Sequence, residues 1–338
     1  MTITERIDAL ASLGERLLQK DEYLDAIMHR THFNNAWFTI ENQQRAVRAI
    51  ATQYLQKGKL QNWAGAYDLP EPKERKTVGL IMAGNIPLVG FHDLLCVFVS
   101  GHKALIKLSE KDQFLLPYLL KLLFQIHPET ESYFEITERL QGFDAVIATG
   151  SNNSARYFET YFSRVPNIIR KNRNAVAVLD GQETADELLL LGKDIFRYFG
   201  LGCRNVSKLY LPKDYDFQLL LEKLHEFREI VMHHKYKNNF DYNLAMLMMN
   251  RTVYWNNGCI ILTENPAIAS RIALLHFEHY DDQKKLVQDL MEKAAEIQCV
   301  VATKNIGDLK TVPFGKAQEP TLNDYADGVD TITFLAEL

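Results

Sequence analysis

The sequence lacks the residue patterns that most often identify a metal-binding or disulfide-bonded protein. Its 338 residues include only four cysteines, Cys96, Cys203, Cys259 and Cys299, and no CxxC pair. This spacing argues against a zinc knuckle and against a disulfide framework, and it suits a reducing compartment. No HExxH segment occurs, and the adjacent His233-His234 brackets no carboxylate at ligand spacing. We therefore expect no metal site.

Signals for nucleic acid, membranes and secretion are also missing. The net charge of −5 gives no sign of a positively charged surface that would bind nucleic acid or an anionic membrane. The apolar runs are too short and too interrupted to span a bilayer. Residues 1–6 are already charged and contain no signal-peptide core. We therefore expect a cytoplasmic protein that neither binds nucleic acid nor inserts into a membrane.

The chain length and the periodicity of its apolar residues predict a helical N-terminal segment followed by α/β regions. The chain fits about two domains, and its hydrophobic fraction of 47% is enough for sizeable cores. Residues 1 to about 65 favour helices, with a capping box at Thr2 and Glu5 and a second helix from Thr39 to about Gln56. A polar connector with two prolines follows at 68–76. Short apolar runs then alternate with helical stretches, which predicts a parallel, doubly wound sheet.

Each strand and helix of this alternation can be assigned to a range. Strands are predicted at residues 78–82, 103–107, 143–148, 174–179, 207–211, 258–263 and 299–302. Helices are predicted at 91–100, 114–126, 155–162, 183–199, 216–232, 265–276 and 282–297, with a further helix start at 109–112. Residues 233–243 are polar and aromatic, and we expect them to be irregular.

Polar residues follow several of these strands. Asn85, Lys107 and the Gly150-Ser151 turn lie at or just beyond carboxyl ends, where ligands bind in open parallel sheets. Cys203 follows a Gly-Leu-Gly segment, in which glycines permit tight turns and the close approach of a ligand. Each residue also has a structural alternative. Cys203 would be a buried core thiol, Asn85 a turn former, Lys107 a solvated strand end, and Gly150-Ser151 a helix cap.

A thiol and an amide in this setting suit acyl chemistry. Cys203 would attack a carbonyl carbon as its thiolate. The Asn85 side-chain amide and the Cys203 backbone N–H would stabilise the resulting oxyanion.

Nucleotide binding would have to use residues outside the usual glycine-rich motifs, because neither GxGxxG nor GxxxxGK[ST] occurs. Lys107, with Ser109 and Glu110, would contact the hydroxyl groups of a nucleotide ribose. The Gly150-Ser151 turn at a helix start would face a phosphate.

The order of these residues resembles that of the aldehyde dehydrogenases. In that superfamily one strand leads to an Asn-x-Pro turn and a second strand leads to a Lys-Pro-Ser-Glu segment. A Thr-Gly-Ser turn, a nucleophilic cysteine and a Ser-Arg segment follow. Between about residues 77 and 212, this chain has Asn85-Ile-Pro87, Lys107-Leu-Ser-Glu110, Thr149-Gly150-Ser151, Gly202-Cys203 and Ser207-Lys208 in that order.

The whole chain looks most like one branch of the superfamily, the LuxC-type acyl-CoA reductases. The short length, the Trp37-Phe38-Thr39 and Trp63 segments, and the closing Asp327-Gly328-Val329-Asp330 carry this resemblance. It implies an α/β, aldehyde-dehydrogenase-like fold, with a Rossmann-like parallel-sheet cofactor domain and an α/β catalytic domain carrying a nucleophilic cysteine. We expect a helical segment at 1–75, the cofactor domain at 76–173, the catalytic domain at 174–312, and a tail at 313–338. The tail would return to the cofactor domain or to a partner subunit.

The resemblance also implies roles for single residues. Cys203 resembles the nucleophile, Asn85 the oxyanion-hole amide, Lys107 the contact to the adenosine ribose, and Gly150-Ser151 the turn near the cofactor. Hydrolytic relatives keep a water-activating glutamate before the cysteine, whereas residues 167–174 contain no carboxylate. This departure favours a reductase, because in a reductase water would hydrolyse the acyl-enzyme intermediate before the hydride could reduce it.

We therefore expect an acyl-CoA reductase that converts an acyl thioester, of fatty acyl-CoA type, to the aldehyde through an acyl-cysteine. Glu110 stands where NAD-preferring relatives keep an acidic group, whereas the luminescence branch is associated with NADPH, so NADPH and NADH both stay open. One alternative is a reductase of the same fold acting on an acyl phosphate or a semialdehyde. The other is a non-catalytic acyl-binding protein, which Leu201 keeps open because many relatives carry a polar residue there. A homo-oligomer is compatible with each alternative.

Overall fold

The computed structural model describes residues 1–69, 71–72 and 74–338, so residues 70 and 73 of the predicted connector lie outside it. In the described residues the helices are α1 (Ile3–Leu17), α2 (Glu22–Asn34), α3 (Ile40–Ala49), α4 (Lys57–Ala64), α5 (Phe91–Val99), α6 (Leu115–Ile126), α7 (Asn152–Tyr161), α8 (Ala185–Phe196), α9 (Phe217–His225), α10 (His234–Met249), α11 (Gln283–Glu292) and α12 (Thr331–Ala336). None of these helices is long and apolar enough to cross a membrane.

The strands of the described residues are β1 (Thr77–Ile81), β2 (Lys103–Lys107), β3 (Phe134–Ile136), β4 (Ala145–Thr149), β5 (Asn167–Arg170), β6 (Asn174–Val178), β7 (Val206–Pro212), β8 (Trp255–Asn256), β9 (Ile261–Glu264), β10 (Leu274–Tyr280), β11 (Ile297–Val301) and β12 (Thr311–Val312). The chain forms two compact units. The first contains residues 1–172 and 320–338, and the second contains residues 173–319.

The N-terminal helices begin where the sequence predicts. The Thr2 hydroxyl accepts the Glu5 N–H at 3.3 Å and the Glu5 carboxylate accepts the Thr2 N–H at 2.6 Å, so the predicted capping box forms. Most of the apolar stripe of α1 is buried in the core of the first unit. Thr39 caps α3 by accepting the Asn42 N–H at 3.2 Å. A π-helical turn then carries the chain from α3 to Tyr54.

A parallel sheet with the strand order β3-β2-β1-β4-β5 forms the centre of the first unit. Each neighbouring pair in it is parallel. β1, β2 and β4 lie within two residues of their predicted positions. The edge strands β3 and β5 were not predicted, because they are only three and four residues long and exposed residues interrupt their apolar runs. The parallel sheet confirms the predicted α/β fold class.

The second unit contains a sheet with the order β12-β11-β6-β7-β10-β9-β8, which is parallel except for the β8–β9 pair. Two predictions in this region were wrong. Residues 233–243 are not irregular, because His234–Met249 form α10, with Tyr236, Phe240 and Asn243 buried at helical spacing. Residues 265–276 do not form a helix, since β10 begins at Leu274 and pairs with β7 and β9. A short buried apolar run does not distinguish strand from helix by periodicity.

The closing residues 320–338 pack within the first unit. The Trp63 indole N–H donates to the Tyr325 hydroxyl at 2.9 Å, and the Tyr67 hydroxyl donates to Asp330 at 2.8 Å. His102 Nε2 lies 3.0 Å from the Leu335 carbonyl oxygen. The first two hydrogen bonds join segments that are far apart in sequence. They connect the region around Trp63 with the closing Asp-Gly-Val-Asp segment.

Candidate active site

The carboxyl ends of three strands of the first sheet lie beside most of the predicted site residues. Ile81 at the end of β1 pairs with Lys107 of β2 and with Ala148 of β4, so these strands end at one edge. The strand order reverses direction between β1 and β4, and doubly wound sheets bind ligands at such switch points. Asn85 lies on the loop after β1, and Gly150-Ser151 follow β4. Both segments therefore flank the switch point.

The loop after β1 packs closely against the loop after β2. A Cβ atom on Gly84 would lie 2.3 Å from Ser109 Oγ, so this approach requires glycine. The Ser109 carbonyl accepts the Asp112 N–H at 3.0 Å and closes a turn. The predicted helix start at 109–112 is therefore wrong, because the backbone bonds within this turn and α6 begins only at Leu115.

Two asparagines at the end of α2 hold this turn in place. Asn34 Nδ2 donates to the Glu110 carbonyl at 3.4 Å, and Asn35 Nδ2 donates to the Lys111 carbonyl at 3.2 Å. Asn35 is buried, whereas the side chains of Lys107 and Glu110 are exposed. The backbone is thus fixed while both charged side chains face solvent. Sequence reasoning gave the two asparagines no role, since nothing local indicates which loop they contact.

The Gly150-Ser151 turn begins α7. The Ser151 hydroxyl accepts the Ser154 N–H at 3.2 Å, as an N-cap does. A Cβ atom on Gly150 would lie 2.8 Å from the Ser154 Cβ and 2.9 Å from the Phe158 ring. The structure therefore confirms that this turn caps α7. Capping does not compete with ligand binding, because the exposed Ser151 and the first N–H groups of a helix also suit a phosphate.

Arg170, to which sequence reasoning gave no role, supports the Gly150-Ser151 turn. Its carbonyl accepts the Gly150 N–H at 3.2 Å. Its guanidinium is 3% exposed and donates to the two Asp93 oxygens at 2.6 and 3.3 Å. It also donates to the Ala326 carbonyl at 2.5 Å and the Thr331 hydroxyl at 2.9 Å. One buried side chain therefore joins the first turn of α5, the end of β5 and the closing segment.

In the second unit, Cys203 lies on a turn three residues before β7. α8 ends at Phe196, and Tyr198, Phe199 and Gly200 then all have positive φ angles. Positive φ is unfavourable for tyrosine and phenylalanine, so the surrounding structure must hold this turn. Cys203 itself is half-buried. A thiol on a constrained turn is how a nucleophile is commonly presented.

Asn205 supplies much of the support for the Cys203 turn. Its side chain is 1% exposed, and its Oδ1 accepts the Gly202 N–H at 2.8 Å. Its Nδ2 donates to three carbonyl groups at the end of α8, those of Asp194 (2.9 Å), Ile195 (3.2 Å) and Arg197 (2.8 Å). One amide therefore caps the helix and fixes the turn. Sequence reasoning missed Asn205, although an asparagine soon after a glycine-rich turn was a usable signal.

Asp194 extends this support to the segment after β12. It is fully buried, and its two oxygens accept the Gly315 N–H at 2.6 Å and the Ala317 N–H at 3.1 Å. Burial raises the pKa of the Asp194 carboxyl to about 7, although both N–H groups favour the ionised form. The end of α8 thus contacts both the Cys203 turn, through its carbonyl groups, and the chain around Gly315.

The remaining candidates around the turn have structural contacts. His233 caps α10, and its ring centroid lies 4.4 Å from that of Phe199. Leu201 is half-buried and donates its N–H to the Tyr198 carbonyl at 3.1 Å. Across the described ranges, no group of three or more His, Cys, Asp or Glu side chains is placed to hold a metal ion.

Solved structures share this architecture. Aldehyde dehydrogenase 21 from Physcomitrella patens, in complex with the reaction product succinate, has a TM-score of 0.72 at 11% identity, over 100% of this chain and 84% of that one. The aldehyde dehydrogenase KauB from Pseudomonas aeruginosa has a TM-score of 0.66 at 14% identity, over 93% and 79%. The chain has an aldehyde dehydrogenase fold.

A third structure of this fold is a mutant of aldehyde dehydrogenase C from Pseudomonas syringae in complex with NAD⁺ and octanal. Its TM-score is 0.64 at 10% identity, over 89% of this chain and 72% of that one. The sequence itself matches no protein-family model and no curated protein. At such identities the likeness confirms the predicted fold class, while the roles of Cys203, Asn85 and the cofactor-binding residues stay predictions.

Proposed function

We propose that this chain is an NAD(P)H-dependent reductase of acyl thioesters, with fatty acyl-CoA as the substrate class. The observation that carries the proposal is the Cys203 turn, a half-buried thiol held by Asn205 on an aldehyde dehydrogenase fold. A neighbour of this fold binds NAD⁺ and the eight-carbon aldehyde octanal, which supports a nicotinamide cofactor and an aliphatic product. The LuxC-like segments around Trp63 and Asp330 support the acyl-CoA reductase branch.

The first unit would be the cofactor domain and the second the catalytic domain. The residues at the carboxyl edge fit a dinucleotide, because Lys107, Glu110 and Ser151 present an exposed cation, carboxylate and hydroxyl beside the switch point. Lys107, Ser109 and Glu110 would hold ribose hydroxyls, and Gly150-Ser151 with the first turn of α7 would hold a phosphate. Bound NADPH or NADH would supply the hydride that brings the acyl carbon to the oxidation level of an aldehyde.

Cys203 would react as its thiolate. Its sulfur forms a bond to the thioester carbonyl carbon, and the bond to the coenzyme A sulfur breaks as that thiolate leaves. The Asn85 amide and the Cys203 N–H would donate hydrogen bonds to the oxyanion, and one such donor is worth about 3–4 kcal/mol. After reduction, cleavage of the bond between Cys203 and carbon releases the aldehyde and restores the thiolate.

The stretch before β6 supports reductive rather than hydrolytic release. Residues 167–174 contain no carboxylate that could activate water. Arg170 lies in this stretch, but its side chain is buried and paired with Asp93, so it has a structural role. A cytoplasmic location would supply coenzyme A thioesters and keep Cys203 reduced. A homo-oligomer is compatible with the proposal, and sedimentation velocity would establish the subunit number.

Acylation without cofactor tests the proposal directly. The protein is incubated with acetyl-, octanoyl- and myristoyl-CoA, and its intact mass is measured before and after NADPH or NADH is added. Cys203→Ala is the test variant, and Cys299→Ala is the matched control because Cys299 is also half-buried. We expect an adduct on the wild type and on Cys299→Ala, absent from Cys203→Ala, that reduced cofactor discharges as aldehyde.

Other outcomes of this experiment decide between the alternatives. Adducts from acyl phosphates but from no acyl-CoA would identify a different reductase of the same fold. Folded protein that forms no adduct with either substrate class, and oxidises no NADPH or NADH, would overturn the enzymatic proposal and leave a non-catalytic acyl-binding protein.

A further inference from the structure

The turn that carries Asn85 is held at both of its ends by residues of the loop after β2. At its start, Gly84 packs against Ser109. At its end, the Leu88 N–H donates to the Asp112 carboxylate at 2.7 Å. Leu88 has a φ angle of +56°, a left-handed conformation that costs a non-glycine residue about 1–2 kcal/mol. The hydrogen bond to Asp112 therefore stabilises a backbone conformation that leucine does not favour.

Asp112 is an unusual anchor, because it is a carboxyl group in an apolar setting. It is 6% exposed, and within the described chain its second oxygen is buried without a hydrogen-bond partner. The space beside it is lined by apolar side chains and backbone, including Met82, Leu88 and Leu116. Burial raises the pKa of Asp112 to about 6, although the Leu88 N–H favours the ionised form.

The elements around Asp112 bring it little compensating charge. Residues 83–90 contain no ionisable side chain. On its own turn, Glu110 and Lys111 are exposed. Arg30 of α2 lies over the Phe114 ring, 4.2 Å from its centroid, and Tyr118 of α6 donates to Asp21. The ionisable side chains of the first turn of α5 are engaged elsewhere, since His92 contacts the Leu322 carbonyl and Asp93 binds Arg170.

We propose that Asp112 is a positioning residue for the oxyanion site, and that protonation of its carboxyl group loosens the turn carrying Asn85. This inference rests on the proposed function, in which the Asn85 amide stabilises the oxyanion. The ionised carboxylate makes the stronger, charge-assisted hydrogen bond to the Leu88 N–H. Protonation weakens this bond, and the end of the turn at Leu88 then loses its charge-assisted support. Asn85 lies between Gly84 and Leu88, so its amide moves with the turn.

Two reactions of the same thiol separate this effect from the ionisation of Cys203. Acylation by octanoyl-CoA needs both the thiolate and the oxyanion site, whereas alkylation by iodoacetamide needs the thiolate but forms no oxyanion. The ratio of the two rate constants, measured from pH 5 to pH 8 in a Cys299→Ala background, therefore reports the oxyanion site. With a pKa of about 6, roughly a tenth of Asp112 is ionised at pH 5. We expect the ratio to fall by up to about tenfold between pH 7.5 and pH 5.

Asp112→Asn keeps the shape and a hydrogen-bond acceptor but cannot titrate. It should give a ratio that is independent of pH and several-fold below the wild-type value at pH 7.5. Asn85→Ala should lower the ratio at every pH. A pH-independent ratio in the wild type, or a step near pH 6 that persists in Asp112→Asn, would overturn the inference. The wild-type profile decides the matter even if Asp112→Asn fails to fold. Absence of any acylation, with alkylation intact, would instead show that the proposed function itself fails.

Discussion

Removal of the Arg170 guanidinium is expected to destabilise the first unit strongly. Arg170→Met keeps much of the side-chain volume but deletes the ion pair with Asp93 and the hydrogen bonds to Ala326 and Thr331. The Asp93 side chain, 14% exposed, would be left without its cation. Deleting one partner of a buried ion pair typically costs about 3–5 kcal/mol, because the remaining charge stays buried and uncompensated.

This loss is large compared with the total stability of a domain, which is about 5–15 kcal/mol. Two of the three tryptophans, Trp37 and Trp63, lie in the first unit, and Trp255 lies in the second. In a Trp255→Phe background, tryptophan fluorescence during denaturant unfolding therefore reports the first unit alone. We expect Arg170→Met to lower the free energy of unfolding of that transition by about 3–5 kcal/mol.

The neighbouring residue provides the matched control. Lys171 forms an ion pair with Glu159 at 2.8 Å, but both side chains are about half exposed. Lys171→Met should therefore change the free energy of unfolding by less than about 1 kcal/mol. Arg170→Met combined with Asp93→Leu should recover part of the loss, because no buried charge then remains unpaired. Equal effects of the Arg170 and Lys171 substitutions would refute the reasoning.

Three further predictions concern the turns around the candidate site. Asn205→Ala removes four hydrogen bonds and should lower the free energy of unfolding of the second unit by about 3 kcal/mol, measured by Trp255 fluorescence in a background with Trp37→Phe and Trp63→Phe. It should also slow acylation of Cys203, followed by intact mass, and an unchanged acylation rate would contradict its positioning role. The pKa of Asp194 is about 7 in the folded protein, against an ordinary aspartate pKa of 3.8, so the folded state holds more protons between these values. The free energy of unfolding should therefore fall as pH rises from about 4 to 7. Denaturant unfolding across this range should show a slope that is smaller in Asp194→Asn than in the wild type, and an unaltered slope would exclude Asp194 as a source of it. Gly150→Ala forces a methyl group against Ser154 and Phe158 and should weaken NADPH or NADH binding about tenfold in a fluorescence titration, whereas Gly58→Ala, with open space around it, should not.

Features determined by neighbouring residues could be predicted from the sequence. The capping box at Thr2 and Glu5 needs only a spacing of three residues, and the apolar runs of β1, β2 and β4 are buried on both faces. The order of Asn85, Lys107 and Gly150-Ser151 after those strands was sufficient to place them at one edge of the sheet. The helical spacing of Tyr236, Phe240 and Asn243 was also present, but the polar residues between them obscured it.

Features determined by distant residues could not be predicted. Arg170 depends on partners 77 to 161 positions away, and its own neighbourhood gives no sign of them. The turn at Ser109 is held by Asn34 and Asn35, more than 70 positions earlier. Asn205 acts over a shorter distance, but its three carbonyl partners become available because α8 ends at Phe196, which leaves the last carbonyl groups of the helix without intrahelical partners. Side-chain chemistry alone does not reveal such backbone geometry.

The discontinuous first unit has a consequence for the order in which the chain matures. Residues 173–319 interrupt it, so a ribosome completes the second unit before it makes the closing segment of the first. Ile332 and Leu335 belong to the core of the first unit and are fully buried there. Until they emerge, apolar surface of the nascent first unit stays open to solvent and to chaperones. The first unit is therefore the first to be synthesised and the last to finish folding.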